Sequence, residues 1–519
     1  MTTAAFASAG LPHRMHDRAI DTGSRVRALF TPSAPDAAAR EKLDHAIHEL
    51  VSSAAVRRSS ASTAQLGDGL DAYIEFLTAS AIRDATNVSS PRCLGNMSGP
   101  TPAFMRLIAE TVAALNQNLV KRDASSSMTP IESEIIGSFH ALVYGPWVRP
   151  ADTAPLGVAA SGGTLANLTA LWCARNVALR GVQHDGVASA LRNCGSERAV
   201  IIGSELMHYS IDKAACVLGL GERAVIRLRV DSAGCVPANA VREALRRCKS
   251  EGALPIALIG IAGTTDCGSI DPLDAIADAA AETGVHYHVD AAWGAAMLYS
   301  ARQRERLRGI ERADSVTIDA HKQLYAPVGL SYVLLRSPES ARAIEREAHY
   351  VLQNGSGDLG MVSLEGSRSA ASLFAHGALH VITPRGFEWL VDHSVETAKA
   401  FAERIDHAPE FELLAAPETN IVLYRYVPRR WRTALAAGAL STEAYEEIDA
   451  LNRRLQADQL KAGRAYVART TIAHLAAYPG TRVTALRAVL ANPLTTADDL
   501  AFVLDDQRAI AALIEEEAA

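Results

Sequence analysis

The sequence has no excess of basic residues and no long apolar run. Its 519 residues include 51 Lys or Arg and 58 Asp or Glu, which gives a net charge of −7. Nucleic-acid-binding and anionic-membrane-binding proteins are typically basic, so we expect neither partner. No window approaches about 18 uninterrupted apolar residues, the minimum for a transmembrane helix, so we expect no membrane partner.

Cysteine is scarce, and its spacing carries no signature of a metal or redox centre. The seven cysteines form no C-x-x-C pair, and their number is odd, so we interpret them as reduced thiols. The N-terminus lacks a basic region ahead of an apolar core, so no secretory signal is expected. These absences predict a cytoplasmic protein. No G-x-G-x-x-G run links a predicted strand to a predicted helix, which disfavours a dinucleotide site.

The composition, 49% hydrophobic and 21% charged, is that of a globular protein large enough for several domains. Helical apolar spacing between residues 37 and 82 predicts two amphipathic helices. A helix is expected over 104–120 and another over 129–144, the second opened by a capping box of Thr129 and Glu132 with Pro130 at the first helical position. From about Gly386 onward, long helical patterns interrupted by strands at 421–426 and 482–490 predict a smaller α+β domain.

Between these regions, short apolar runs alternate with helical stretches. This pattern predicts an α/β fold with a mostly parallel seven-stranded sheet and helices on both faces. The predicted strands cover 156–160, 199–203, 225–230, 256–262, 286–290, 315–318 and 331–335. In such sheets ligands bind at the carboxyl ends of the strands. The residues singled out below follow strands of this set.

Lys322 follows the strand 315–318 and precedes a turn at Pro327 and Gly329. A lysine buried at a strand end can attack an aldehyde to form a Schiff base, which is how pyridoxal phosphate (PLP) is held. Asp290 ends the strand 286–290, where a carboxylate can pair with the pyridine nitrogen of PLP, and the small Ala292 leaves room for a flat ring. Two parallel strands would bring Asp290 and Lys322 to one edge of the sheet.

Two further features surround this pair. Ser161-Gly162-Gly163-Thr164 leads from a strand into a helix, which predicts a phosphate cradle made of backbone N–H groups. His286, His288 and Asp290 share one face of their strand, so a metal site with two histidines and one carboxylate is an alternative use of that aspartate. We favour PLP and no metal, because Lys322 and the glycine-rich turn account for the same residue.

These motifs resemble the group II pyridoxal-dependent amino-acid decarboxylases, the family of the glutamate, aromatic and diaminobutyrate decarboxylases. The resembling segments follow the family's order and are 160–167, 207–214, 263–265, 288–292, 321–322 and 486–496. Within the family, segments 115–121, 129–132, 319–325, 357–360 and 364–368 are most similar to the pyridoxal-dependent aspartate 1-decarboxylases. The resemblance implies a PLP-dependent transferase of fold type I that decarboxylates an acidic L-amino acid: aspartate to β-alanine first, then glutamate or cysteate.

The resemblance also implies roles for individual residues. His208 would stack on the PLP ring, Thr265 would contact the cofactor or fix Asp290, and His321 would bind the phosphate. Asn96, Ser98 and Arg487 would contact the substrate. It further implies a homodimer whose active site lies at or near the subunit interface. The implied domains are a dimerisation arm over 1–88, a large PLP domain over 89–385 and a small domain over 386–519.

One departure from the family concerns the proton that Cα must receive after CO2 leaves. Many members supply it from a tyrosine on a mobile loop, yet residues 353–365 contain neither tyrosine nor histidine. We hypothesise that Tyr350, His208 or the released Lys322 replaces it. The alternatives are another PLP reaction on this scaffold (transamination, C–C lysis or aldehyde formation), a metal-dependent hydrolase, or a non-catalytic paralogue.

Overall fold

The structure is a computed structural model that describes residues 22–30, 86–146, 155–348 and 357–518. The helices expected between 37 and 82 lie outside these ranges, as do Tyr350 and residues 353–356 of the tyrosine-free loop. All seven cysteines are free thiols, as predicted. Within the described ranges, no helix has the length and apolar character needed to cross a membrane.

The centre of the molecule is a seven-stranded sheet of order β1-β7-β6-β5-β4-β2-β3. Its strands are β1 Gly157–Ala160, β2 Arg198–Ser204, β3 Val225–Leu228, β4 Ala253–Ile261, β5 His286–Asp290, β6 Ser315–Asp319 and β7 Ser331–Leu335. Only β7 runs against its two neighbours. The predicted, mostly parallel seven-stranded sheet is thus confirmed.

Helices cover both faces of this sheet, because its strands are apolar on both sides. They are α1 Thr22–Phe30, α2 Met105–Leu115, α3 Met128–Tyr144, α4 Gly163–Ala178, α5 Val182–Asn193, α6 Ser210–Val217, α7 Ala238–Ser250, α8 Leu273–Thr283, α9 Pro338–Arg342 and α10 Ser372–Val381. Separate apolar clusters pack on the two faces. Buried and exposed residues therefore do not alternate along β5, β6 and β7, and every residue of these strands is buried.

Two details of the predicted helices were wrong. Helix α2 ends at Leu115 rather than near Val120, because Asn116 adopts a left-handed conformation (φ 45°) that terminates it. Helix α3 has no side-chain cap from the expected capping box. Thr129 instead faces Ser125, and Glu132 is turned inward to pair with Arg368. The buried guanidinium of Arg368, although distant in sequence, binds the Glu132 carboxylate in place of the local backbone N–H.

The C-terminal part forms a second, antiparallel sheet of order β10-β11-β9-β8. Its elements are α11 Thr383–Asp406, β8 Phe411–Ala415, β9 Ile421–Tyr426, α12 Arg432–Ala436, α13 Thr442–Ala462, β10 Ala468–Ile472, β11 Val483–Val489 and α14 Ala497–Ala518. The two strands predicted here are present. The segment before α2 joins this sheet, since the Val489 N–H donates to the Leu94 carbonyl. Helix α11 spans residue 386, and the domain boundary predicted there stays a prediction.

Candidate active site

A cavity of about 360 Å³ opens where β1, β4, β5 and β6 end. It is lined by Ser161, Gly162, Gly163, Thr164, Leu165, Asn167, Leu206, His208, Ile261, Gly263, Thr265, Asp290, Ala292, Trp293, Asp319, His321, Lys322, Val328 and Gly329. All the residues predicted to bind the cofactor are in this set. The fold brings them together because parallel strands deliver their carboxyl ends to one edge of the sheet.

Helix α4 begins at Gly163, so its N-terminus faces the cavity behind Ser161 and Gly162. The backbone of this turn lies close to β6: a Cβ atom at Gly163 would stand 2.8 Å from both carboxylate oxygens of Asp319. Only glycine permits this approach. The turn therefore combines a helix N-terminus with exposed backbone, which is the arrangement that binds a phosphate group.

Asp290 is held by two donors at the floor of the cavity. Its Oδ2 accepts a hydrogen bond from Asn167 Nδ2 at 2.8 Å, and its Oδ1 accepts one from the Ala292 N–H at 3.1 Å. We expected Thr265 as a candidate support for Asp290, but the amide of Asn167 provides it. Sequence reasoning missed this role of Asn167, although its spacing of four residues from Gly163 places it one helical turn inside the cavity.

A chain of hydrogen bonds runs behind Asp290. His286 Nε2 lies 2.8 Å from Ser315 Oγ, Ser315 Oγ lies 2.9 Å from His288 Nδ1, and His288 Nε2 lies 3.1 Å from Asn167 Oδ1. Since the Asn167 oxygen only accepts, the His288 Nε2 must donate, and its Nδ1 then accepts from Ser315. The direction of every bond in the chain follows, ending on the carboxylate.

Both histidines in this chain are fully enclosed, and burial lowers their pKa values. The pKa of His288 falls to about 3, with desolvation the largest cause and the neighbouring His286 next. Both nitrogens of His288 are engaged with Ser315 and Asn167. The alternative metal site of His286, His288 and Asp290 is therefore not formed, and His288 supports Asp290 through Asn167, in line with the interpretation of this residue as a support.

Lys322 lies at the opposite wall, with its Nζ 3.0 Å from Asp319 Oδ2. Ser331 donates to the other oxygen, Oδ1, at 2.5 Å. The side chain of Asp319 is 3% exposed and that of Lys322 is 19% exposed, so the amine reaches the cavity while its partner stays buried. The loop after Lys322 is anchored by Tyr325, whose hydroxyl donates to the Ala491 carbonyl at 2.8 Å.

The two other histidines at the cavity, His208 and His321, differ in which ring nitrogen carries the proton. The Ser210 N–H donates to His208 Nδ1 at 3.3 Å, so the neutral His208 ring carries its proton on Nε2. Burial lowers the pKa of His208, partly opposed by Asp290, which favours this neutral form. His321 Nδ1 donates to the Leu330 carbonyl at 2.9 Å, which leaves its Nε2 directed elsewhere, 3.8 Å from Asp319 Oδ2.

The residues predicted to contact substrate do not line this cavity. Asn96 and Ser98 are partly buried on the segment beside β11. Arg487 lies on β11, as predicted, and its Nη1 donates to the Thr265 carbonyl at 2.7 Å. Its Nε is buried and has no hydrogen-bond partner among the described residues. Tyr350 lies outside the described residues.

A segment after residue 357 closes on the phosphate cradle, which the sequence did not predict. The Ser161 N–H donates to Glu365 Oε2 at 3.1 Å. Three residues on, Arg368 forms a buried ion pair with Glu132 at 2.7 Å, and Ser372 donates to the second oxygen of Glu132 at 2.9 Å. The ion pair fixes the backbone that carries Glu365 to the cavity.

The donor set fits PLP. A lysine amine suits its aldehyde, a carboxylate suits its pyridine nitrogen, and a glycine turn at a helix N-terminus suits its phosphate. The crowded approach of Gly163 to Asp319 shows a backbone shaped for close contact. Buried Trp293 completes the wall and is tied to the second sheet through Asn420, whose Oδ1 accepts from its indole at 3.1 Å.

Comparison with known proteins gives the same result. The model of the pyridoxal-dependent decarboxylase conserved domain matches residues 77–427. Aspartate 1-decarboxylase of Aliivibrio fischeri is 40% identical over 458 residues, which are 85% of this chain and 83% of that protein. L-2,4-diaminobutyrate decarboxylase of Rhizobium meliloti is 32% identical over 389 residues, 73% of this chain and 74% of that protein.

Among solved structures, the apo form of mouse CSAD superposes with a TM-score of 0.76 at 23% identity, covering 95% of each chain. This likeness shows the fold and confirms the prediction of fold type I. The family model and the sequence relatives cover the segments that carry Asp290 and Lys322. The chain is therefore a PLP-dependent amino-acid decarboxylase and belongs to the pyridoxal-dependent decarboxylase family.

Proposed function

We propose that the substrate of this decarboxylase is an acidic L-amino acid, with aspartate, converted to β-alanine, as the first choice and glutamate or cysteate next. The observation that carries the proposal is the 40% identity to an aspartate 1-decarboxylase along 85% of the chain. Arg487 supports it: a partly buried guanidinium whose Nε has no hydrogen-bond partner among the described residues is suited to a carboxylate, which it can bind through two parallel hydrogen bonds.

In this proposal Lys322 holds the PLP aldehyde, Asp290 the pyridine nitrogen, and Ser161 to Thr164 the phosphate. His208 would lie against the ring face, Ala292 would leave space for it, Thr265 would contact the cofactor, and His321 would direct its Nε2 to the phosphate. The cavity lining supports these assignments, because it includes every one of these residues. Asn96 and Ser98 lie on the neighbouring segment as candidate substrate contacts, together with Arg487.

When bound, PLP supplies an electron sink for the pair of electrons left on Cα as the carboxyl group departs as CO2. The chain of His286, Ser315, His288 and Asn167 directs one donor, the Asn167 amide, toward Asp290 and so holds its carboxylate in place. A carboxylate in that position would keep the pyridine nitrogen of bound PLP protonated. Trp293 and the segment carrying Glu365 limit the access of water to the cavity.

Cα must then accept a proton in place of the lost carboxyl group. His208 carries a proton on Nε2, and Lys322 carries one on Nζ when released. Tyr350 is the third candidate. If none of the three donates, O2 would take up the electron pair instead, and water and O2 would be consumed to give an aldehyde, ammonia and hydrogen peroxide together with CO2. The absence of tyrosine and histidine over 353–365 is the observation that favours this second candidate function, aldehyde formation.

We also propose a homodimer located in the cytoplasm. Val328, at the mouth of the cavity, is 78% exposed, and Tyr209, whose ring contacts that of His208, is 56% exposed. Apolar side chains at a cavity mouth suit burial by a second subunit. Sedimentation of the PLP-loaded chain tests this: a dimer is expected, whereas a fully active monomer would contradict the proposal.

The decisive experiment is product analysis of the purified, PLP-loaded chain with each common amino acid and cysteate, following CO2 and O2 in parallel. β-Alanine and CO2 in equal amounts, without O2 consumption, are expected from aspartate. An aldehyde, ammonia and hydrogen peroxide, with O2 consumed, would instead establish the second function. CO2 release from aromatic amino acids alone would contradict the acidic substrate. The Lys322→Ala variant serves as the blank.

A further inference from the structure

Away from the cavity, two histidines and a carboxylate meet where α3 and α10 pack together. His376 and His380 lie one turn apart on α10, and Glu134 lies on α3. One ligand atom from each of the three lies within 4.8 Å of the other two. None of them lines the active-site cavity. The decarboxylase chemistry therefore gives this cluster no role.

The geometry points to a transition-metal site, and we propose that Glu134, His376 and His380 bind Zn²⁺ as a clasp between α3 and α10. The two Nε2 atoms are 3.1 Å apart. With Zn–N bonds of about 2.05 Å, that separation corresponds to an N–Zn–N angle of about 100°, between octahedral and tetrahedral values. Histidines at i and i+4 on a helix project from the same face, which allows both to reach one ion.

The donor set selects the class of metal. Imidazole nitrogen suits Zn²⁺, Ni²⁺, Co²⁺ and Cu²⁺, whereas Mg²⁺ and Ca²⁺ prefer sites made of oxygen alone. Glu134 contributes one anionic ligand to two neutral ones. Glu134 and His380 are exposed and His376 is half-buried, so the ion has access from solvent and water can complete its coordination.

The helices that carry the ligands are fixed by other contacts. On α10, Ser372 binds Glu132 of α3, and a Cβ at Gly377 would clash with Ile108 of α2. Ala375 and Ala378 are buried on the face away from the histidines. A site on packed helices loses little entropy when the ion binds. The ion would reinforce the same α3–α10 contact that the Ser372–Glu132 hydrogen bond makes.

The test uses the untagged, full-length, PLP-loaded enzyme after chelator treatment, without amino acid, because PLP adducts also bind metals. Equilibrium dialysis should give one Zn²⁺ per chain. His380→Ala and the His376→Ala/His380→Ala pair should lower the affinity by at least about tenfold, the scale of a lost metal contact. The matched control is His184→Ala, since His184 is also an exposed helical histidine, and it should bind Zn²⁺ like the parent.

Co²⁺ gives a second readout that does not depend on the stability of a variant. Visible bands without sulfur charge transfer are expected, and Glu134→Gln should alter them. The proposal is overturned if the parent binds no more Zn²⁺ than the double variant, if Co²⁺ shows thiolate ligation, or if His184→Ala loses binding equally. If the parent binds no more Zn²⁺ than the double variant, the Nε2 atoms of His376 and His380 share only a hydrogen bond. Decarboxylation should be unchanged by the chelator.

Discussion

The floor and the mouth of the active-site cavity are built differently. At the floor, His288, Asn167 and Ser315 are at most 1% exposed and Asp290 is 9% exposed, and their hydrogen bonds form one directed chain. At the mouth, Val328 is 78% exposed, and beside the cavity Arg487, which contacts Thr265, has an Nε without a hydrogen-bond partner among the described residues. The floor, which we propose binds the PLP ring, is preorganised within one chain, whereas the mouth, which we propose handles substrate, still has groups to satisfy.

This contrast has a physical reason. A buried polar group without a partner costs about 1–3 kcal/mol, so the enclosed floor must complete its network during folding. Groups at the mouth can be satisfied by water, substrate or a second subunit. Substitutions in the two regions should therefore differ in kind: floor variants should weaken PLP and stability together, and mouth variants should alter the handling of substrate or cofactor exchange without unfolding the chain.

The largest effect is expected for Lys322→Ala, which removes the amine that we propose holds PLP. Activity should fall by at least about a thousandfold, the scale for loss of a group that acts at the reacting atoms. After borohydride reduction, the parent chain should gain the mass of PLP and the variant should not. The exposed Lys249→Ala is the control. Retention of covalent PLP by the Lys322 variant would assign the cofactor to another amine.

Next in size is Arg487→Met at the mouth. Loss of a hydrogen bond between charged groups costs about 1.5–3 kcal/mol, so kcat/KM for aspartate should fall about ten- to a hundredfold. PLP affinity should not change. Arg469→Met, on the neighbouring strand β10, controls for the loss of an arginine from this sheet. Equal losses in the two variants would show that Arg487 acts through the fold and not through the substrate.

Asn167→Leu tests the floor. The variant leaves His288 Nε2 without an acceptor and takes one donor from Asp290, at a cost of about 1–3 kcal/mol. We expect weaker PLP binding by up to about a hundredfold together with a lower melting temperature. Asn176→Leu, on the same helix, also breaks a buried hydrogen bond, to the Ala343 carbonyl. It should lower the melting temperature alone. Unchanged PLP affinity in Asn167→Leu would show that the hydrogen-bond network does not contribute to cofactor binding.

The burial of His288 predicts that the protein loses stability as the pH falls. Its pKa is about 3 in the folded protein, against about 6.5 when unfolded, so between these values the unfolded chain binds the extra proton. Stability should therefore fall as pH decreases through 6.5, by up to about 1.4 kcal/mol per pH unit from this group. Asp271, whose pKa is raised to about 6 by burial, acts in the opposite direction.

The comparison of His288→Gln with the parent isolates the histidine. Denaturant midpoints of the cofactor-free chains, measured from pH 7 to pH 5, should decline less steeply in the variant. His407→Gln is the control, because His407 is exposed. Parallel pH profiles for parent and His288→Gln would show that His288 is charged in the folded state, contrary to the direction of its hydrogen bonds.

The same contrast explains what the sequence could predict. The strands were readable because runs such as 256–262 are apolar throughout, and the ligand-binding edge followed from the order of strands and helices. The roles of Gly163 and Lys322 could be predicted because few structural roles require a glycine or a lysine at those positions. The role of Asn167 could not be predicted, since it depends on how helix α4 is oriented relative to strand β5. Glu132 was misassigned as a cap because its partner, Arg368, is distant in the chain.

The smallest effect is expected for Glu365→Gln at the mouth. The Glu365 carboxylate accepts the Ser161 N–H that a phosphate would also use, so it places a negative charge beside the cradle. This contact is exposed, where a charge is worth about 0.2–1 kcal/mol. Neutralising it should tighten PLP binding by up to about fivefold and leave kcat unchanged, as measured by PLP titration of the apo-enzyme. The exposed Glu339→Gln is the control. Weaker PLP binding in Glu365→Gln would mean that Glu365 orders the cradle, and the mouth would then be as preorganised as the floor.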